Sequence, residues 1–389
     1  MRFSGVMHAH SLSLILLLLI PSAHLPAAEA VQVLAAPEQG IQPRALVDTK
    51  GVLHLVWYAG SAKGGNLFHA TRLENKTWST PVRVNSIADS AVAAGTIRGA
   101  QVAIGRDGCL HVVWNGFDAN APKGTPLPLY YTRSLDGGNT FEPQRAVSGD
   151  WPLDGGGAVA ADPQGKVHVL WHAGPHGEGE TARRIFIRTS EDDGRTFGAE
   201  RAISPEGMGV CACCAMQALA TRSGAVHVLY RSATDGGRSR DIATLTSQDG
   251  GKTFSHAVVD PWRINGCPMS SMSLVELRDG SVAGAWEREG QIHASRFDTA
   301  GAMMGPLSST SVKGSPGKGQ RKHPVLAVAN GRILMLWAEG TAWNKGGALA
   351  WQVFTEELKP TDESGAAGDV PVWSFGSVTV VKNNFVIVR

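Results

Sequence analysis

LHLVWY at residues 53–58 returns as LHVVWN at 110–115, VHVLWH at 167–172, VHVLYR at 226–231, VAGAWE at 282–287 and ILMLWA at 333–338. The aromatic at the fifth place (Trp57, Trp114, Trp171, Tyr230, Trp286 and Trp337) recurs at intervals of 57, 57, 59, 56 and 51 residues. A repeated supersecondary unit produces such regularity; an irregular domain does not. Each block follows a glycine-bearing turn (DTKG, GRDG, DPQG, TRSG, LRDG, ANG). Before the turn lies another short apolar run, such as AQVAIG at 100–105. Apolar run, turn and apolar run together read as a β-hairpin, so the chain is expected to be all-β and built from six like units.

A second element shares the period in three units. Ser134, Asp136, Gly138, Thr140 and Phe141 have the form S-x-D-x-G-x-T-F, repeated by Ser190, Asp192, Gly194, Thr196 and Phe197 and by Ser247, Asp249, Gly251, Thr253 and Phe254. Its residue types make a turn: a carboxylate to accept backbone N–H bonds, a glycine free to take positive φ, and an aromatic plug. These positions are read as structural. The first unit keeps a remnant ending at Thr77-Trp78, with Leu73 in the Asp place, and the fifth a trace around Ser295 to Asp298.

This pattern resembles the Asp-box, or bacterial neuraminidase repeat, of the sialidase-like β-propellers, over nearly the whole chain after residue 30. The resemblance implies a six-bladed propeller of four-stranded blades, at about 44–85, 97–148, 154–204, 213–264, 267–309 and 319–389. A terminal strand is expected to close the ring, either Val31 to Leu34 or the β-rich tail Val372 to Val388.

Composition agrees. The 389 residues hold 47 Gly and 20 Pro, more punctuation than a helical protein tolerates, and 43% apolar residues, enough for a large core. Lys+Arg 36 against Asp+Glu 34 leaves a charge of +2, too even to suggest a nucleic-acid partner. Arg2, the apolar run Ser11 to Ile20 and the small residues ending at Ala30 read as a cleaved signal peptide, residues 1–30. The run is short of the ~20 residues a membrane span needs. A monomer exported to the periplasm or beyond is expected, with no membrane span after cleavage.

In such blades the residue after the marker aromatic points to one rim: Tyr58, Asn115, His172, Arg231, Glu287 and Ala338, with Glu339 next. Segments leading into the innermost strands bring Arg44, Arg98, Cys211 to Cys214, Cys267, Met269, Arg321 and His323 to the same rim. This mouth is the expected site, for a glycan or another small ligand. His54, His111, His168 and His227 all stand three places before the marker and are read as structural; His172, His176 and His323 lie nearer the mouth.

The resemblance to sialidases implies three arginines that clamp a substrate carboxylate, a Tyr paired with a Glu as nucleophile, and an Asp as acid and base. Arg44, Arg263 and Arg321 are the arginine candidates. No Tyr follows Arg321, and the only Asp between Arg44 and Arg83 is Asp48, in a hairpin turn at the opposite rim. Standard sialidase catalysis is therefore not expected. Glu287 and Glu339 are the candidate pair for a different glycoside hydrolase.

The distinguishing sequence is GMGVCACCAM at 207–216 with NGCPMSSM at 265–272. Two readings stay open for Cys211, Cys213, Cys214 and Cys267. Clustered cysteines in an exported protein make disulfides, here between the first three and Cys267. Alternatively, with Met208, Met216, Met269, Met272 and His323 nearby, they form a soft-metal site for Cu(I), with zinc second. A redox-active pair is a third reading, although C-x-x-C in a thioredoxin-like context is missing. Cys109 falls on the far rim. The leading expectation is a binding or accessory propeller; the alternative is an exo-α-sialidase or other glycoside hydrolase with an atypical site.

Overall fold

The computed structural model describes residues 1–2, 31–72, 76–95, 98–118, 120–122, 125–151, 153, 155–309 and 320–389. The expected signal segment, apart from its first two residues, and Leu73 lie outside the described residues. Six four-stranded antiparallel sheets span 41–83, 101–146, 158–202, 217–260, 273–309 and 321–370. In each, the run before the turn is the first strand and the marker block the second, as in Gln101–Ile104 against Leu110–Asn115. First strands of successive blades are neighbours around the ring and surround its axis.

The structure has seven blades, not six. Ser377–Val381 and Asn384–Val388 form an antiparallel hairpin, and Gln32–Leu34 adds to it in parallel with Asn384–Val388. The two candidates for ring closure are therefore partners in one sheet, and the sixth blade ends at Val370 instead of 389. This blade carries neither the marker aromatic nor the Asp-box, which is why a count of markers stops at Trp337. It does carry a local signal: Lys382 and Asn383 have φ of 49° and 67°, the positive values of a two-residue hairpin turn.

Marker aromatics repeat because each plugs the seam beside its sheet. Trp57, Trp114, Trp171, Tyr230, Trp286 and Trp337 are all fully buried. Trp57, Trp114, Trp171 and Trp286 each meet an aromatic of the third strand, Phe68, Tyr130, Phe186 and Phe297.

The three Asp-boxes make the same bonds. Asp136 accepts from Ser134 Oγ at 2.8 Å, Thr140 N at 2.9 Å and Thr140 Oγ1 at 2.6 Å, and Gly138 N donates to Ser134 Oγ at 2.8 Å. Asp192 and Asp249 repeat the set. The Thr196 N–H, with the Ser190 and Thr196 hydroxyls, holds the Asp192 carboxyl down to about 2. The box glycine faces the preceding blade. Gly251 has φ +83°, and a Cβ there would sit 2.7 Å from Cε1 of His168. Buried histidine and box glycine are thus two halves of one joint between blades.

Candidate functional site

The loop before Gln217–Ala220, the first strand of blade four, carries Cys211, Cys213 and Cys214. The loop before Ser273–Glu276, the first strand of blade five, carries Cys267. Ala215 N donates to Ser270 O at 3.2 Å, so backbone joins the loops. Cys213 and Cys267 form a disulfide, with Cα atoms 6.5 Å apart. Cys211 and Cys214 are buried free thiols, and the sulfurs of Cys211, Cys213 and Cys214 lie within 4.8 Å of one another. Cys211 and Cys213 are 3.4 Å apart, sulfur to sulfur. Cys109 sits buried beside the Arg106–Gly108 turn, its thiol pushed up to about 12 by burial.

Charge surrounds the sulfurs. Arg231, on the second strand of blade four, is fully buried over the Trp262 ring and lies 3.7 Å from Glu287 Oε2. Arg240 pairs with Glu180 at 2.6 Å, and Glu180 also accepts from Ala212 N at 2.7 Å. Burial raises the Cys214 thiol, but the Cys211 hydrogen bond, the Arg231 guanidinium and the Ser270 N–H outweigh it and bring the group down to about 6. Cys211, its hydrogen-bond donor and buried beside it, is pushed up.

Above the sulfurs opens a cavity of about 380 Å³, lined among others by Trp262, Cys267, Glu287, Glu289 and Lys322. Cys267 is exposed there. Burial pushes the Glu287 carboxyl up against the pull of Arg231 and of the Gly290 N–H, which donates at 2.9 Å. Lys322 Nζ donates to Pro268 O at 2.7 Å, and burial draws its amine down.

The other site candidates are spread out. Arg44 reaches into a cavity of about 140 Å³ on the ring axis, with Met272 and Ser377; burial lowers its guanidinium to about 10, and it lies 4.4 Å over Phe375. Arg263 is exposed and bonded to Asp235 at 2.7 Å. Arg321 is buried against Glu339 at 3.1 Å, and Glu339 also accepts from Trp337 Nε1. Neither Arg263 nor Arg321 lines the axial cavity, and Glu339 does not line the cavity of Glu287. Met272 packs with Cys211 and Cys214. Met216 belongs to the core between blades three and four. Met269 and His323 line a narrow cleft with Trp343 and Trp373, where His323 Nδ1 meets Ser271 Oγ at 3.1 Å.

Glu180, Arg240, Trp262, Glu289 and Lys322 escaped the sequence reading. Lys322 stands between two residues already singled out and was legible by position. Glu180 lies on an excursion between strands of blade three, outside the repeat register.

Residues 51–289 match a family described as a BNR repeat-like domain. No curated protein matches the chain. Among solved structures, an α-L-arabinanase from Penicillium chrysogenum, complexed with arabinobiose, superposes with a TM-score of 0.54 at 13% identity, covering 84% of this chain and 98% of its own. A Hadza microbial sialidase gives 0.53 at 13%, covering 83% and 70%. A protein of unknown function from Dyadobacter fermentans gives 0.53 at 15%, covering 80% and 94%. At such identities these likenesses concern the fold.

Proposed function

Starting from the fact that this chain belongs to the BNR repeat-like family, we propose that it is an exported ligand-binding propeller whose site is the sulfur pocket between blades four and five. When reduced, the pocket holds a soft metal ion, Cu(I). The convergence of three cysteine sulfurs within 4.8 Å, with Cys267 bonded to one of them, carries this reading. Thiolates are soft donors that favour Cu(I) over hard cations, Met272 packs beside them, and Arg231 and Arg240 offset the negative charge of more than one thiolate. Cys211, Cys214 and the reduced pair Cys213 and Cys267 are the ligands; His323, Met216 and Met269 are not part of the set.

Protein reduced anaerobically and offered Cu(I) is expected to retain one ion per chain against a competing chelator. Cys214→Ser and Cys267→Ser should weaken retention by more than the ~10–100-fold that losing an outer-shell partner costs. No stoichiometric uptake, or an unchanged affinity in Cys267→Ser, overturns the proposal.

A second reading, glycoside hydrolysis or glycan binding, draws on the same cavity. Burial raises Glu287 there as a general acid requires, Glu289 stands two residues away, and two of the similar solved structures are described as a sialidase and an arabinanase. It predicts turnover of an aryl sialoside or arabinofuranoside that falls about 100-fold or more in Glu287→Gln. Turnover unaffected by that change places hydrolysis elsewhere.

A further inference from the structure

We infer that Cys267 is the outward sulfur of a thiol–disulfide exchange site, released when the buried Cys211 thiol attacks Cys213, and that the site takes a low-molecular-weight disulfide as substrate. Exchange requires a thiol in contact with one sulfur of a disulfide and a path by which the other can leave. Cys211 Sγ lies 3.4 Å from Cys213 Sγ, the inner sulfur of the bond. Cys267, the outer sulfur, belongs to an exposed residue on the wall of the 380 Å³ cavity. A disulfide serving only to staple the loops would need neither extra sulfur, and the loops are already joined through Ala215 and Ser270.

The step balances within the protein. A bond forms between Cys211 and Cys213 as Cys211 gives up its thiol proton, and the electron pair of the Cys213–Cys267 bond leaves on Cys267, which takes up a proton in turn. One disulfide and one thiol exist before and after; the thiol has moved from buried Cys211 to Cys267 at the cavity wall. Lys322 lines that cavity together with Trp262 and the carboxylates Glu287 and Glu289. There the Cys267 thiolate attacks one sulfur of an external disulfide RSSR. A mixed disulfide forms on Cys267 and RS⁻ departs, so the external disulfide supplies the oxidising equivalent. The exchange is independent of the metal reading, because its reagent is the oxidised, metal-free protein.

The test uses full-length oxidised protein with chelator and no reductant. Native alkylation with iodoacetamide, then tryptic mapping, is expected to release peptide Ile264–Arg278 with Cys267 alkylated, and to leave a Cys211–Cys213 bond within Ala202–Arg222. Glutathione disulfide should place a single glutathionyl group on Cys267. Cys211→Ser should slow both reactions about ten-fold or more, while Cys109→Ser leaves them unchanged. The inference falls if the two peptides stay joined and Cys267 stays unmodified in the wild-type protein, a readout that needs no variant to fold. It falls equally if Cys211→Ser reacts at the wild-type rate.

Discussion

Deleting residues 372–389 is expected to unfold the whole ring, not trim one blade. Ser377–Val381 lies between the first strands of blades one and six. It is bonded to blade one through Ala45 N to Ser377 Oγ at 2.9 Å, with Gln42 N to Ser374 Oγ at 2.9 Å just before it. Val378, Phe385 and Ile387 pack with Leu334, Leu336 and Val353 of blade six, and Val386 and Val388 with Leu55 and Trp57 of blade one. Six apolar side chains that are 5% exposed or less, these five and Phe375, would be lost with the tail. At about 1.5–3 kcal/mol each the deficit is of order 10 kcal/mol, comparable with the ~5–15 kcal/mol that holds a typical domain folded. The faces of blades one and six would also be left open to water. The truncated chain should be insoluble or lack a cooperative thermal transition by circular dichroism. A soluble truncated protein that melts within a few degrees of the full chain would mean that six blades can close by themselves.

That expectation also shows where the sequence stops being readable. Six units were legible because large buried aromatics must recur wherever sheets stack face to face, and because the Asp-box turn needs specific residue types. Blade seven is assembled from the two ends of the chain. Its seam is filled by Phe385 and aliphatic residues, so it leaves no periodic mark. The site divided along the same line. Repeat register was enough to bring Cys267 beside the Cys211–Cys214 loop, since both precede first strands of adjacent blades. Register says nothing about side-chain direction, which is why Met216 was counted with the sulfurs although it turns into the core, and why Glu180 and Arg240 were missed. The arginines separated for a related reason. Arg321 has a buried carboxylate, Glu339, in its own blade and Arg263 an exposed one, Asp235, so neither is directed at the axis where Arg44 lies.

Acidification from pH 7 to pH 4 is expected to remove most of the fold's stability, chiefly through histidines buried at the blade seams. Burial holds His111 down to about 3, and His69, His168 and His227 to about 4. In the unfolded chain each titrates near 6.5. The folded groups stay neutral where the unfolded ones take up protons, so their contribution is complete above pH 6.5 and is lost as pH falls toward 4. One pH unit of displacement in one group is worth about 1.4 kcal/mol, so four groups each displaced by two units or more amount to something of order 10 kcal/mol, comparable with a typical domain's total of about 5–15. The carboxylates of Asp136, Asp192 and Asp249 are displaced downward instead, and their contribution disappears only below about pH 4. Between pH 6.5 and 5 the loss therefore belongs to histidine. The urea midpoint should fall steeply across that interval, and less steeply in His111→Gln, which keeps a polar partner for the Tyr131 hydroxyl now 2.9 Å from His111 Nδ1. A midpoint constant from pH 7 to 5 would mean that these rings are hydrated or charged in the folded ring. The blade seams, where each Asp-box glycine covers the preceding blade's histidine, would then be open to water.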